Sequence, residues 1–574
     1  MKISTFIFVF FLVSSNLIAQ PTIEWQHLLG GVNIDGAYEV KPTLDGGYMV
    51  TGSSLGMELP GSHGDFDWVV TKLAENGTIQ KQRLIGGSNN ENQPKIGLKT
   101  GGGYFMLGTT YSSDGDVAGH HGSTDGWVVT LDDTLGIDWQ RCIGGSYYDN
   151  MNNFMQTTDG SYVISGGVQS TDGDILVNYG NSDFFIIKLK PDGDTQWKRT
   201  FGGSDYDQAN YTIQTSDGGY ILAGVSKSTD GQVGENHGED DIWILKLSSF
   251  GIIQWKKVLG GSQDESVNQV IQVSDGGFVI AGSTRSNDLD VSGHHGLKDI
   301  WMVKLSSDGQ LEWEKAIGGT QQDNPGSLDQ TEDGGLLLTG HTTSNDGDIT
   351  GNHGYQDVWI VKFDIQGNIL WGKTIGGSSE DFLDVYKPTP DGGLVFGGFS
   401  SSANGDITQN KGDRDGWLLK LDENYDIQWS ITFGGSNKDV IQDILVTDDG
   451  GYLFVGYTRS NNGDVSGLLH GEDDIWIVKL TSESVGTKFS NSSVSQNGLS
   501  IYPNPAVHQV QLTLPVASPL LDVQIYPIWG GISAMATISN GGSLDISHLP
   551  AGIFIARVQD ESGSIYMQKF EIQH

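Results

Sequence analysis

Aspartates two residues apart recur along this chain and are its most conspicuous chemical equipment. Asp114 and Asp116, Asp172 and Asp174, and Asp346 and Asp348 each flank a glycine, while Asp288 and Asp290 flank Leu289. Two further copies, Asn404-Gly405-Asp406 and Asn462-Gly463-Asp464, keep an oxygen at both places. Carboxylates two apart in a flexible loop can both turn inward on a hard cation, so calcium is the candidate cofactor at these ten aspartates. Turn chemistry is the competing account, because Asp, Asn and Gly kink and cap loops without a metal. None of the loops has the twelfth-position glutamate of a calcium hand, and short motifs over-predict.

Histidines recur with them. His63, His121, His237, His295 and His353 each stand four residues before an aspartate: Asp67, Asp125, Asp241, Asp299 and Asp357. Zinc needs three or four ligands at one point. One histidine per repeat cannot supply that, so a His-carboxylate hydrogen bond tying down each loop is expected. Tyr179 and Lys411 replace the histidine in two copies. Pairs such as Asp241 and Lys246, Asp299 and Lys304, and Asp357 and Lys362 recur in the same way and read as architecture. A catalytic constellation has to be singular, and the sequence contains no G-x-S-x-G, H-E-x-x-H or phosphate-loop motif. Arg285, Arg459 and Lys227, at equivalent loop positions, are expected to be solvated surface. Cys142 is the only cysteine, so no internal disulfide can form; it stands where other repeats have Leu84, Thr200, Val258 or Thr374 and reads as a small half-buried filler.

The elements that position these residues follow from the period. Gly-Gly doublets at Gly30, Gly86, Gly144, Gly202, Gly260, Gly318, Gly376 and Gly434 are spaced 56 residues apart once and 58 residues apart six times. That is one structural unit copied eight times. In the fifth unit, strands are expected at Val267–Ser274, Phe278–Thr284, Asp299–Ser306 and Gln310–Ile317, with turns at Ser274–Gly277 and Ser307–Gly309. Four short antiparallel strands per unit describe an all-β, eight-bladed propeller over residues 20–480, with seven blades and one unit outside the ring as the fallback. The chain enters with a fourth-type strand, Thr22–Leu29, and leaves after a third-type strand, Asp474–Thr481. The N-terminal strand is therefore expected to complete the last blade and remove an open edge. Short turns then lie on one face. The long loop after strand two and the crossover after strand four converge on the other, which is the candidate functional surface. Each crossover also carries an acid shortly after its doublet: Asp149, Asp207, Glu265, Asp323, Asp381 or Asp439.

The runs "KLDENYDIQW" (Lys420–Trp429) and "KLSSDGQLEW" (Lys304–Trp313), each leading to a Gly-Gly, resemble the tryptophan-bearing repeats of quinoprotein-like propellers. The resemblance implies a structural clasp between blades and does not imply a quinone.

The ends of the chain differ from the array. Lys2, the apolar run Phe6–Val13 and Leu17-Ile18-Ala19 read as a secretory signal over residues 1–19, too short to span a bilayer. Residues 481–498 are polar and suit a linker. From Leu499 to the end, strands of a small β-sandwich are expected at Leu499–Ala506, Leu521–Gly531, Ser543–Gln559 and Gln568–Ile572. The "YPNP" at Tyr502–Pro505 and the "DISHLPAGIF" at Asp545–Phe554 make residues 499–574 similar to the C-terminal sorting domain of the type IX secretion system of Bacteroidetes. Pro527-Ile528-Trp529 departs from the Asp-containing turn usual there. The resemblance implies passage through the outer membrane, contact with the type IX machinery, and removal of the tail on release or surface attachment.

The chain has 574 residues, with 71 acidic and 32 basic, for a net charge of -39. Such a surface repels phosphate backbones and anionic lipid, so nucleic acid is not an expected partner. No later stretch reads as transmembrane. The first functional reading is a secreted or surface-attached, non-enzymatic binding or adhesion scaffold whose partner is an extracellular glycan or surface protein. A polysaccharide-active or quinoprotein-like propeller enzyme and a structural matrix protein are the alternatives.

Overall fold

The computed structural model describes residues 18–56, 61–485 and 499–572, apart from 504–505, 507, 515–519, 528–533, 540, 548, 550–551 and 561–564. Most of the expected signal segment, linker residues 486–498 and the departing Ile528-Trp529 lie outside the described residues. Every element among the described residues is a β-strand, and no described helix is long and apolar enough to cross a membrane.

Residues 23–480 build eight four-stranded antiparallel sheets. In the fifth, the strands are Glu265–Gln272, Phe278–Thr284, Asp299–Leu305 and Leu311–Ile317. The second and third strands are apolar runs buried at every position, because neighbouring sheets cover both faces. The fourth strand starts exposed and ends buried. The core is correspondingly built between successive sheets: Ile221 and Ile242 of the fourth sheet pack with Phe278 and Trp301 of the fifth.

Two side-chain devices repeat at the short-turn end. The fourth-strand tryptophan of one sheet donates its indole N–H to a turn carbonyl of the next: Trp139 to Pro191 (3.0 Å), Trp197 to Ser249 (3.1 Å), Trp255 to Ser307 (3.1 Å) and Trp313 to Ile365 (3.0 Å). The indole also fills the space beneath the turn glycine; a Cβ on Gly309 would meet Trp255 at 2.7 Å. Within seven of the eight sheets, the third-strand lysine pairs with the aspartate of the first turn, as in Lys246–Asp217 (2.9 Å), Lys304–Asp275 (2.9 Å) and Lys362–Asp333 (2.7 Å); the second sheet has Thr130 in place of the lysine. The Lys362 ammonium and the Thr331 hydroxyl hold Asp333 down at about 2.

Backbone hydrogen bonds stitch the sheets together at the other end. The first N–H of a sheet donates to the carbonyl preceding strand three of the sheet before it: Asp207 to Ser182 (2.7 Å), Asp323 to Lys298 (2.7 Å) and Asp439 to Arg414 (2.8 Å). Asp35 of the first sheet makes the same bond to Asp473 of the last (2.8 Å). Ile23–Leu29 pairs antiparallel with Asp474–Leu480, and Ala37, Val40 and Val69 share a core with Leu453 and Ile477. Asp443 of the last sheet reaches Lys41 (3.8 Å) and Lys387 (3.4 Å) of the sheets on either side.

The tail is a three-stranded sheet (Ser500–Tyr502, Gln509–Thr513, Ser543–Asp545) and a four-stranded one (Leu520–Pro527, Ala534–Ser539, Gly552–Asp560, Ile565–Ile572) around its own core. The run expected as one strand over Ser543–Gln559 is two strands in different sheets, and Gln509–Thr513 and Ala534–Ser539 are additional.

If the indole joins adjacent sheets, Trp255→Ala should lower unfolding free energy by about 3 kcal/mol. Trp255→Phe, which keeps the ring but loses the N–H, should lower it by about 1 kcal/mol. Urea titration of both variants provides the check.

Candidate functional site

The long loops and the Gly-Gly crossovers meet at one end of each sheet, and the acid at the head of strand one organises them. Asp149 is fully buried. Its Oδ2 accepts the Gly145 N–H (2.7 Å) and the Ser170 hydroxyl (2.6 Å), and its Oδ1 accepts the N–H groups of Gln169 (3.0 Å) and Ser170 (3.2 Å). Asp207, Glu265, Asp323, Asp381 and Asp439 likewise cap the second glycine of their doublets. The first glycine faces a second buried carboxylate, from strand three of the preceding sheet. A Cβ on Gly144 would come within 2.3 Å of Asp125 Oδ1 and 3.1 Å of Asp149 Oδ2. Gly202, Gly260 and Gly434 stand in the same way between Asp183 and Asp207, Asp241 and Glu265, and Asp415 and Asp439.

These third-strand aspartates are buried, and their Oδ1 atoms at Asp125, Asp183, Asp241, Asp299, Asp357 and Asp415 have no hydrogen-bond donor. At Asp183, Asp241 and Asp415, burial and neighbouring acids both disfavour the anion. Burial, then Asp207, pushes Asp183 up to about 7. Burial, with smaller contributions from Glu265 and Asp290, pushes Asp241 up to about 6, and burial with Asp439 and Asp464 does the same to Asp415.

The ten calcium candidates lie in the loops over these pairs and bind the crossover. The first of each pair accepts the N–H that follows the doublet: Asp114 from Ser88 (2.7 Å), Asp172 from Ser146 (2.7 Å), Asp288 from Ser262 (2.8 Å) and Asp346 from Thr320 (2.7 Å). The second turns elsewhere. Asp116 takes Arg83 (2.9 Å) and Asp174 takes Arg141 (2.6 Å), whereas Asp290, Asp348, Asp406 and Asp464 accept the N–H of the first glycine. Among the described residues, no group of three or more His, Cys, Asp or Glu side chains is arranged to hold a metal ion.

The histidines tie their loops to the third-strand acids. Nδ1 lies 2.8 Å from Asp125 at His121, 2.9 Å from Asp299 at His295 and 2.8 Å from Asp357 at His353. It is farther at His237 (3.3 Å from Asp241) and His63 (3.6 Å from Asp67). The backbone N–H at this position donates to the same carboxylate, including at Tyr179 and Lys411, so the side chain can vary. His470 makes the bond to Asp474 (2.8 Å) and was missed because Leu468-Leu469 adds one residue to the last loop, displacing it from the period. The basic loop residues are exposed, as expected, and also ion-paired: Arg459 binds Asp473 through two nitrogens, Arg285 meets Asp264 (3.4 Å) and Lys227 meets Asp240 (3.5 Å). Cys142 is buried, and burial pushes its thiol well above the usual range.

One column breaks the repeat. The second residue of strand one pairs with a residue near the end of strand two, giving Gly36–Ser53, Asn150–Gly167 and Ser266–Ser283 in early sheets. In later ones the pairs are Asn324–His341, Phe382–Phe399 and Val440–Tyr457. Phe382 stacks on Phe399 (4.9 Å), His341 lies against Phe382 (4.6 Å), and Arg414 covers Phe399 (4.6 Å) while pairing with Glu380 (2.7 Å). His341 is buried, which lowers its pKa, and its Nε2 accepts the Leu383 N–H (3.3 Å).

Residues 500–573 match the family described as the secretion system C-terminal sorting domain. The protein is exported by type IX secretion to the cell surface or the extracellular space. The sorting domain implies contact with the type IX machinery, and its two sheets carry the residues of that match. The chain is 27% identical over 165 residues to the regulatory protein FlaEY of Caulobacter vibrioides, covering 26% of this chain and 17% of the relative's length. A protein of unknown function from Dyadobacter fermentans has a TM-score of 0.33 at 10% identity, covering 80% of this chain and 99% of its own. A puromycin hydrolase has a TM-score of 0.40 at 10% identity, covering 75% of this chain and 60% of its own.

A carboxyl group whose folded pKa is raised stabilises the fold below its unfolded value near 3.8, and that contribution is lost as pH rises through about 6 to 7. The protein should therefore melt at a higher temperature at pH 5 than at pH 8. Asp183→Asn should flatten this dependence; an unchanged pH profile in calorimetry would contradict the assignment.

Proposed function

We propose that residues 20–480 form a closed eight-bladed propeller that works outside the cell as a non-enzymatic binding scaffold. Closure is supported by the seam between the first and last sheets, which uses the Asp35-to-Asp473 hydrogen bond found at internal seams. The observation that carries the functional reading is how the recurring acids are used. The carboxylates that could have served a metal or a proton transfer are engaged by crossover N–H groups, hydroxyls, guanidinium groups and imidazoles, and the Oδ1 atoms left without a donor on the third-strand acids are buried. Among the described residues these carboxylates fix the loops and crossovers at one end of the sheets, and a rigid face presented by an exported chain is suited to holding a partner.

On this reading the Asp-Gly-Asp loops are clasps, and calcium is not required. Millimolar calcium and chelator should give the same melting temperature; a clear upward shift with calcium would make the loops ion sites. In pull-downs of purified protein with insoluble extracellular material, substitutions spread over several loops should weaken binding step by step. If one substitution abolished all activity, the enzyme reading would replace this one. Calcium-dependent self-association without a partner would favour the matrix reading.

A further inference from the structure

Two open clefts occupy the same place in successive repeats. One, of about 460 Å³, is lined by His353, Lys373, Thr374, Ile375, Asp406 and Ile427. The other, of about 350 Å³, is lined by His295, Lys315, Ile317, Asp348 and Ile369. In each, the histidine and lysine belong to one sheet and the aspartate to the loop of the next. Each histidine has its Nδ1 committed to the strand-three acid, which leaves Nε2 for a ligand. The floor is aliphatic: Ile375 and Ile317 are buried, but Ile427 is 42% and Ile369 38% exposed.

The composition of the seam decides whether a cleft stays open. At two seams a fourth-strand arginine crosses to the aspartate and closes the gap, Arg83–Asp116 (2.9 Å) and Arg141–Asp174 (2.6 Å), whereas Arg199, opposite Gln232, donates to the Phe250 carbonyl (3.1 Å). Lys411 closes the Asp464 seam in its own way. Lys373 instead turns to Asp426 (2.6 Å) and the Tyr425 carbonyl (2.8 Å), leaving Asp406 facing the cleft.

We propose that these clefts are repeated subsites for a neutral polysaccharide, one pyranose unit in each. This rests on the reading of the array as an extracellular binding scaffold. An aliphatic floor suits the C–H face of a pyranose, and the surrounding carboxylate, ammonium, imidazole and threonine hydroxyl suit its hydroxyl groups. Recurrence at one-repeat spacing suits a polymer, because linked units bind the second site at high effective concentration. The net charge of -39 disfavours a polyanion.

The test is titration calorimetry of the full secreted chain with laminarin, xyloglucan, galactomannan and dextran, and with the trisaccharide of each. At least one polymer should bind about 100-fold more tightly than its trisaccharide. Asp406→Asn or Asp348→Asn alone should weaken that polymer several-fold, and the two together should remove the polymer advantage. The double variant Lys315→Arg with Lys373→Arg, which copies the closed seams and keeps the charge, should do the same without lowering the melting temperature. Polymer binding unchanged in both double variants would overturn the cleft assignment and leave the scaffold reading standing. Failure of all four polymers to bind would overturn the proposal; retained capture of other extracellular material would then show that the scaffold reading itself had not failed.

Discussion

Each repeat is organised by a carboxylate buried at the head of its first strand, which binds the N–H groups of the glycine crossover and the hydroxyl groups beside it. An ionised carboxylate taken out of water is unfavourable by several kcal/mol unless hydrogen bonds replace its hydration. Asp149 receives four such bonds. The same geometry explains the doublet. The second glycine offers its N–H to the acid, and the first must lack a side chain because two carboxylates press on its Cα.

The rest of the long-loop end follows from this arrangement. Because the third-strand aspartate is buried opposite another acid, its anion is disfavoured whether or not a histidine lies above it: Asp183, beside Tyr179, is raised to about 7, and both Asp415, beside Lys411, and Asp241, beside His237, to about 6. Asp346 and its equivalents hold the loop over the crossover from outside. At the opposite end, indole-to-carbonyl bonds and lysine–aspartate pairs join the turns. Both ends are thus clamped by polar groups, while apolar cores between sheets supply most of the burial.

Much of this was legible in one sequence because repetition multiplies weak signals. A single "SDGG" is an unremarkable turn, but at 58-residue spacing the fifth repeat's second and third strands can be placed to within a residue. Relationships between repeats were harder to read. Asp183 and Asp207 are 24 residues apart on different sheets, and nothing in the local sequence shows that they meet across Gly202. The His341–Phe382–Phe399 stack appears only when the repeats are laid out in register and one column turns aromatic. His470 escaped through a one-residue insertion. The tail strand Gln509–Thr513 does alternate exposed and buried residues, but over only five positions the pattern is too short to stand out.

Hydrogen exchange at the backbone amides that join the sheets tests this account most directly. If the eight sheets form one clamped ring, the Asp35 amide at the seam between the chain's ends should be protected as strongly as those of Asp207 and Asp323 at internal seams, and all three should open together. Rapid exchange at Asp35, with protection retained at Asp207 and Asp323, would contradict the account and describe an open array.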